Sequence, residues 1–333
     1  MVRSARGRMD RRALLGLGAL GVLAAVTGCR DPGTPAGSTP SATSSGLDTG
    51  LDTGTGVPAE TADRRLVTEL YGDLASQTDD LRTLLKRRPA LRRRIRPLVA
   101  LHQAQLAVLG SLLGEGSVGW FAGLNGAALE TAEISLATEL AGAVTRAEDG
   151  AIARLLASLA AGQAVAVQTL DPDWEPPART LAAVPDGEVD TLQGALTAEH
   201  AAVYVLGVLG GRTSAEEQPA LFASLTEAYA VHRDRRDALT RTIAAAGADP
   251  VAAAPGYELA RRPTSPEEIT TAAAAVESAV AEQYAALVAA APTGRRGWPA
   301  AVVADAALRA VALGGAPPWF PGSPELAAQA ARG

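Results

Sequence analysis

PALRRRIRPLVALH (residues 89–102) returns 130 positions later as PALFASLTEAYAVH (219–232), with Pro-Ala-Leu and the closing His at the same interval in both. The same offset sets Leu66 on Leu196 and Glu69 on Glu199. An offset of 144 sets Glu133 on Glu277, Ala137 on Ala281, Val144 on Val288 and Gly150 on Gly294. Alanine-rich helices match one another by chance, so the weight rests on the Pro-Ala-Leu…His spacing and the two Glu matches. From Pro58 onward apolar residues recur every three or four positions and never alternate as in a strand. Helices are expected at 58–87, 89–113, 126–147 and 150–170, and again at 188–212, 214–247, 265–291 and 296–313. A Pro-rich break at 171–187 separates an N-terminal unit (58–170) from a second unit (188–322); the chain after residue 313 turns Pro/Gly-rich, and 323–333 is a tail. The fold expected is all-α, a tandem of up-down-up-down four-helix units.

Local signals agree. Ser265-Pro266-Glu267-Glu268 offers an N-cap Ser, a Pro at the first helical position and a Glu at the third. Ser214 and Glu217 form a second capping box, and Pro97, inside the second helix, is expected to kink it.

Composition narrows the chemistry. Of 333 residues, 47% are hydrophobic but only 4% aromatic, so Ala, Leu and Val must fill the interior, which suits close-packed helices. A net charge of −6 argues against a nucleic-acid binder. One Cys and three His exclude a disulfide scaffold and any Cys-rich zinc or iron–sulfur site. No Ser/His/Asp arrangement and no Gly-rich phosphate loop is signalled.

The first 28 residues read as an export signal. Arg3, Arg6, Arg8, Arg11 and Arg12 are a basic n-region, and residues 13–26 (ALLGLGALGVLAAV) are an apolar h-region too short to span a bilayer. Val26-Thr27-Gly28-Cys29 then resembles a bacterial lipobox, with Cys29, the only cysteine, at the position that would be lipidated. Arg11-Arg12 also resembles a twin-arginine motif; a plain basic n-region explains the pair equally well. Residues 29–57 are Gly/Ser/Thr/Pro-rich and read as a disordered tether with a reach of roughly 30 Å. Losing residues 1–28 removes five Arg and one Asp and takes the charge from −6 to −10. Attachment to the membrane is therefore expected from the lipid and not from a basic surface.

Each helix of the second unit carries an ionisable residue near its middle on the apolar stripe: Glu199, His232, Glu277 and Asp305. In an up-down bundle these meet at one level. Buried carboxylates must be protonated, paired or metal-bound. Three carboxylates and a His suit Fe, Mn or Zn; Arg235, Arg236 or Arg309 could equally neutralise them in a hydrogen-bonded polar core. In the first unit only Glu69, His102 and Glu133 remain, a structural polar core in which Glu69 is expected to satisfy His102. His200 is either a second partner of the cluster or a surface residue. Arg233 is expected to pair with Asp237. Trp120-Phe121 and Trp319-Phe320 are expected to pin loops onto the bundle.

The stretches LTAEHAAVYVLGVLGGR (196–212), HRDRRDAL (232–239), AVESAVAEQYAALVAAAP (275–292) and WPAAVVADAALRAVALGGAPPWFPG (298–322) resemble an uncharacterised ferritin-like domain family, domain of unknown function 4439, of high-GC Gram-positive lipoproteins. The resemblance implies a left-handed ferritin-like four-helix bundle and no assigned activity. Di-iron members of the wider fold carry a Glu, then Glu-x-x-His, twice over. Carried over, Glu199, His232 and Glu277 match three positions. Tyr229 and Val99, however, stand where the bridging Glu would precede His232 and His102, and Asp305 has no accompanying His.

Two functions are therefore expected. The first is a cell-envelope lipoprotein, anchored outside the cytoplasm by its lipid, whose bundles bind an envelope protein partner or serve as a scaffold, with no catalytic residues. The alternative is a single-metal-binding (Fe or Mn) or oxidoreductase protein using Glu199, His232, Glu277 and Asp305.

Overall fold

The computed structural model describes residues 61–114, 129–174, 189–257, 259 and 262–332, and all but Leu259 belong to one compact unit. Arg11, Arg12, Cys29, the tether and Trp120-Phe121 lie outside the described residues. Among the described residues there is no strand. The helices are α1 (Ala62–Arg87), α2 (Arg92–Leu113), α3 (Leu129–Val144), α4 (Gly150–Leu170), α5 (Val189–Gly210), α6 (Pro219–Ala245), α7 (Pro266–Ala290), α8 (Gly297–Ala312) and α9 (Glu325–Ala330).

Most boundaries follow from capping. Thr61 accepts from the Arg64 amide at 3.1 Å to start α1. Asp149 accepts from Ala151 and Ile152 to start α4, and Ser265 accepts from Glu268 to start α7. Helix α6 begins five residues later than expected. Ser214 still accepts from the amides of Glu216 and Glu217, but it caps a turn, and Pro219 opens the helix, where its missing N–H costs nothing. At the matching place a 3-10 turn, Pro89–Leu91, precedes α2, which runs unbroken through Pro97. Helix α9 falls where only a tail was expected.

Packing pairs α1 with α2, α3 with α4, α5 with α6 and α7 with α8, while α4 also packs on both α7 and α8. Helix α4 explains why. It is apolar on every side, with 15 of its 21 residues buried, so it needs neighbours all round. Helices α4 and α5 are long and apolar enough to cross a membrane by length and composition alone; α4 spends that character inside the protein. One core gathers Leu70, Leu109, Leu140 and Leu156 together with Val288, Phe320 and Leu326 from the C-terminal part of the chain. The other gathers Leu196, Leu239, Tyr284 and Val302 with Ala161 and Val165 from α4. The close approach needs glycine: a Cβ on Gly162 would overlap the Trp319 carbonyl. Phe320 is buried and pins this loop, whereas Trp319 is 43% exposed.

The α3–α4 turn is held from two directions. Its amides at Glu148 and Asp149 donate to Asp63 of α1 at 2.8 and 2.7 Å. Its carbonyls at Ala147, Glu148 and Asp149 accept from the buried guanidinium of Arg296, which also donates to Ala291. A turn between two helices thus has its backbone groups satisfied by both halves of the chain.

Candidate functional site

The second half builds its polar centre from α5, α6, α7 and α8. The apolar stripes of these helices face inward and carry Glu199, His232 and Glu277 to one level, each fully buried. His232 Nδ1–H donates to Glu199 Oε2 at 2.6 Å and Nε2–H donates to Glu277 Oε1 at 3.2 Å. Ionised carboxylates only accept, so both ring nitrogens donate and the ring is an imidazolium. Burial by itself would lower the His232 pKa, but the hydrogen bonds and charges of Glu199 and Glu277 override it and push the value up to about 9. The Tyr284 hydroxyl donates to Glu199 Oε1 at 2.6 Å. Burial first, and then the Glu199 charge, hold that phenol well above its ordinary pKa.

Asp305 does not join them. It is half-buried, pairs with the buried Arg235, and accepts from Arg309 Nε at 3.0 Å. Burial alone would raise its carboxyl; Arg235 and then Arg309 bring it below its ordinary value. Of the four residues expected as one ligand set, Glu199 and Glu277 therefore flank His232, and Asp305 lies between two guanidiniums. Asp305 lies off the buried face of α8, where Arg235 of α6 and Arg309, a turn further along α8, hold it.

In the interior Glu199, Glu277 and Asp305 face His232, Arg235 and Arg309, joined by direct contacts and by the fields of Glu199 on Arg235 and Glu277 on Arg309, and at the rim the exposed Glu227 also reaches Arg309 at 3.2 Å. A divalent metal here would have to displace the His232 proton and break the contacts that both glutamates already make with the ring. Both Glu199 oxygens and both imidazole nitrogens already have partners; within the network only Glu277 Oε2 and the Nε and Nη1 of Arg235 are buried without one among the described residues. Among the described residues no group of three or more His, Cys, Asp and Glu side chains is disposed to hold a metal ion. The donor set does not fit an Fe or Mn centre.

In the first half His102 and Glu133 are buried and in contact at 3.2 Å, as their repeat positions suggested. Glu69 is exposed, so it is not part of that core and does not satisfy His102. The buried positions Leu66, Val67 and Leu70 repeat the spacing of Ala195, Leu196 and Glu199, so the first helices match at an offset of 129, not 130. One residue is about 100° of helix rotation, enough to move Glu69 from core to surface. Leu70 takes the place of Glu199, and His102 Nδ1 is left without a partner among the described residues. Gln163 of α4 instead donates to Glu133, and Gln105 donates to the Leu159 carbonyl at 3.3 Å.

Sequence reasoning did not single out Tyr284, Gln163 or Arg296. Tyr284 lies seven residues after Glu277 on the same stripe, and a tyrosine on an otherwise apolar stripe signals a buried hydroxyl seeking an acceptor. His200 stands away from the cluster and holds the Val251 carbonyl at 3.1 Å. Arg233 pairs with Asp234 and Arg236 with Asp237, the immediate neighbour in each case in place of the expected Arg233–Asp237 pair.

No curated protein and no solved structure matches this chain. A family model does, over residues 191–325. Those residues, which carry the entire Glu199–His232–Glu277 network, match the model of a family described as a domain of unknown function, DUF4439.

Proposed function

We propose that this chain is a cell-envelope lipoprotein, lipidated at Cys29 and held by a tether, whose two halves are tandem ferritin-like four-helix bundles with a binding or structural role and no resident metal. The observation that carries it is the ion-pair and hydrogen-bond network in which Glu199 and Glu277 both hold His232 and Tyr284 holds Glu199, at the level a metal would take in such a bundle. The tandem arrangement is supported by equivalent links in the two halves: His102 to Glu133 and His232 to Glu277 each join a second helix to a third. It is supported too by α4 packing on α8, its counterpart in the repeat.

The test is to purify the processed protein from a lipidating, high-GC Gram-positive host and to measure its mass and elemental content. Diacylglycerol on Cys29 and no stoichiometric transition metal are expected. One tightly bound Fe or Mn per chain, lost in Glu199→Ala/His232→Ala, would overturn the metal-free role in favour of a metal-binding or oxidoreductase bundle. An unmodified Cys29 would overturn the anchor.

A further inference from the structure

The corner between α1 and α2 reads KRRPALRRRIR over residues 86–96, with seven basic residues and no acid. Lys86, Arg87, Arg88, Arg92, Arg93, Arg94 and Arg96 are all exposed, and among the described residues only Arg94 is engaged with an acid, Glu130 at 2.9 Å. Six cations therefore stand without an acidic partner among the described residues, at one corner of a chain whose net charge is −6. The nearby ends of α1 and α4 carry Asp80, Asp171 and Asp173, which leave an excess of three positive charges.

Two observations separate this cluster from a stabilising device. Arg92, Arg93, Arg94 and Arg96 lie at the start of α2, where the positive end of the helix dipole disfavours cations. The repeat supplies an internal control as well. The matching corner before and within α6 reads EEQPALFASLT over residues 216–226. It keeps Pro-Ala-Leu and an equivalent buried anchor, Leu225 for Ile95, and carries Glu216 and Glu217 at the positions of Lys86 and Arg87, although a longer connection, 211–218, leads into α6. Pro-Ala-Leu and its buried anchor thus recur without the basic cluster, which the second half does not share.

We infer that the basic α1–α2 corner is a docking surface for an anionic phospholipid bilayer, a second contact that orients the protein on the membrane to which Cys29 tethers it. The inference rests on the lipoprotein reading for its choice of partner. Helix α1 is 26 residues, roughly 39 Å, so the corner and the tether attach at opposite ends of it. The length of chain between Cys29 and α1 sets an upper bound of roughly 100 Å on their separation, so lipid and corner can engage one surface together. Net charge alone pointed away from any basic membrane contact; clustering reverses that expectation, because screening over about 10 Å makes the local charge decisive.

The test uses the chain from residue 29 with Cys29→Ser, which keeps every described residue and has no lipid. Sedimentation with vesicles of phosphatidylcholine, with and without phosphatidylglycerol, should show binding only to the anionic vesicles, weakened by salt. Each cation near an anionic surface strengthens binding roughly fivefold, so Arg92→Gln/Arg93→Gln/Arg96→Gln should weaken it by about 100-fold with an unchanged melting temperature. The control Arg65→Gln/Arg146→Gln/Arg241→Gln, three exposed arginines elsewhere, should change it by less than about fivefold. Equal loss in both triples, equal binding to neutral vesicles, no binding at all, or tighter binding to soluble polyphosphate than to vesicles would each overturn the inference. Because the tested chain has no lipid, an unmodified Cys29 in the native protein is a separate result that refutes only the anchor.

Discussion

His232 is the residue on which the second half turns electrostatically. Its folded pKa of about 9 lies above the ordinary 6.5, so its contribution to stability is complete below about pH 6.5 and is lost as pH rises through about 9. The contribution is of the order of 3 kcal/mol. Urea midpoints measured at about pH 6 and about pH 9.5 should fall in the wild type, and the fall should be much smaller in His232→Gln; a flat wild-type profile would remove the imidazolium. At neutral pH His232→Gln should itself cost about 3–5 kcal/mol, because Glu199 and Glu277 then stay buried without their cation. The residue types on the apolar stripes were legible in the sequence. Their partners were not, because a helical stripe specifies which side of a helix faces inward but not which neighbour each group meets. Asp305 illustrates this: the buried face of α8 runs through Val302, Val303, Ala306 and Ala307, Asp305 stands beside it, and two arginines on α6 and α8 claim it.

At the scale of the element, α4 and α5 respond oppositely to the same substitution. Gly162 in α4 faces the Trp319 carbonyl, so Gly162→Ala must push the 319–322 loop away and should cost about 1–3 kcal/mol. Gly194 in α5 is exposed, and a methyl group there would meet nothing within 4 Å, so Gly194→Ala should stabilise by about 0.5–1 kcal/mol through helix propensity. Thermal melts of the two variants check this, and equal shifts would show that α4 does not approach the loop as closely as described. The helices themselves were legible to within a few residues, since periodicity and caps are local. The exceptions have local reasons of another kind: Pro219 displaced the start of α6, and α9 is a six-residue helix held by Leu326 in a distant core, which no periodicity over so short a span could announce.

Across the whole molecule the two halves share a core through α4 and a turn through Arg296. The chain should therefore unfold in one transition, with tryptophan fluorescence and far-ultraviolet circular dichroism giving the same midpoint. Arg296→Ala removes donors from carbonyls on both halves, including Ala147 at 2.6 Å, and should cost about 2–4 kcal/mol. Two separated transitions in the wild type would show that the halves are independent. The repeat was readable because its Pro-Ala-Leu…His interval is long and specific. The one-residue slip at Glu69 was not, because sequence identity can favour an offset of 130 while burial obeys 129.

By itself the sequence determined the helical class, the acidic charge and the residues available for a polar centre, because these depend on periodicity and composition. Tertiary structure alone decided that His232 is clasped by Glu199 and Glu277, with Tyr284 on Glu199, while Asp305 is taken by arginines, and that α4 serves both cores. A metal and a salt-bridge network ask for the same acids at the same heights on their helices. Which one the chain builds is settled by neighbours far apart in sequence, whose charges meet only once the helices are packed.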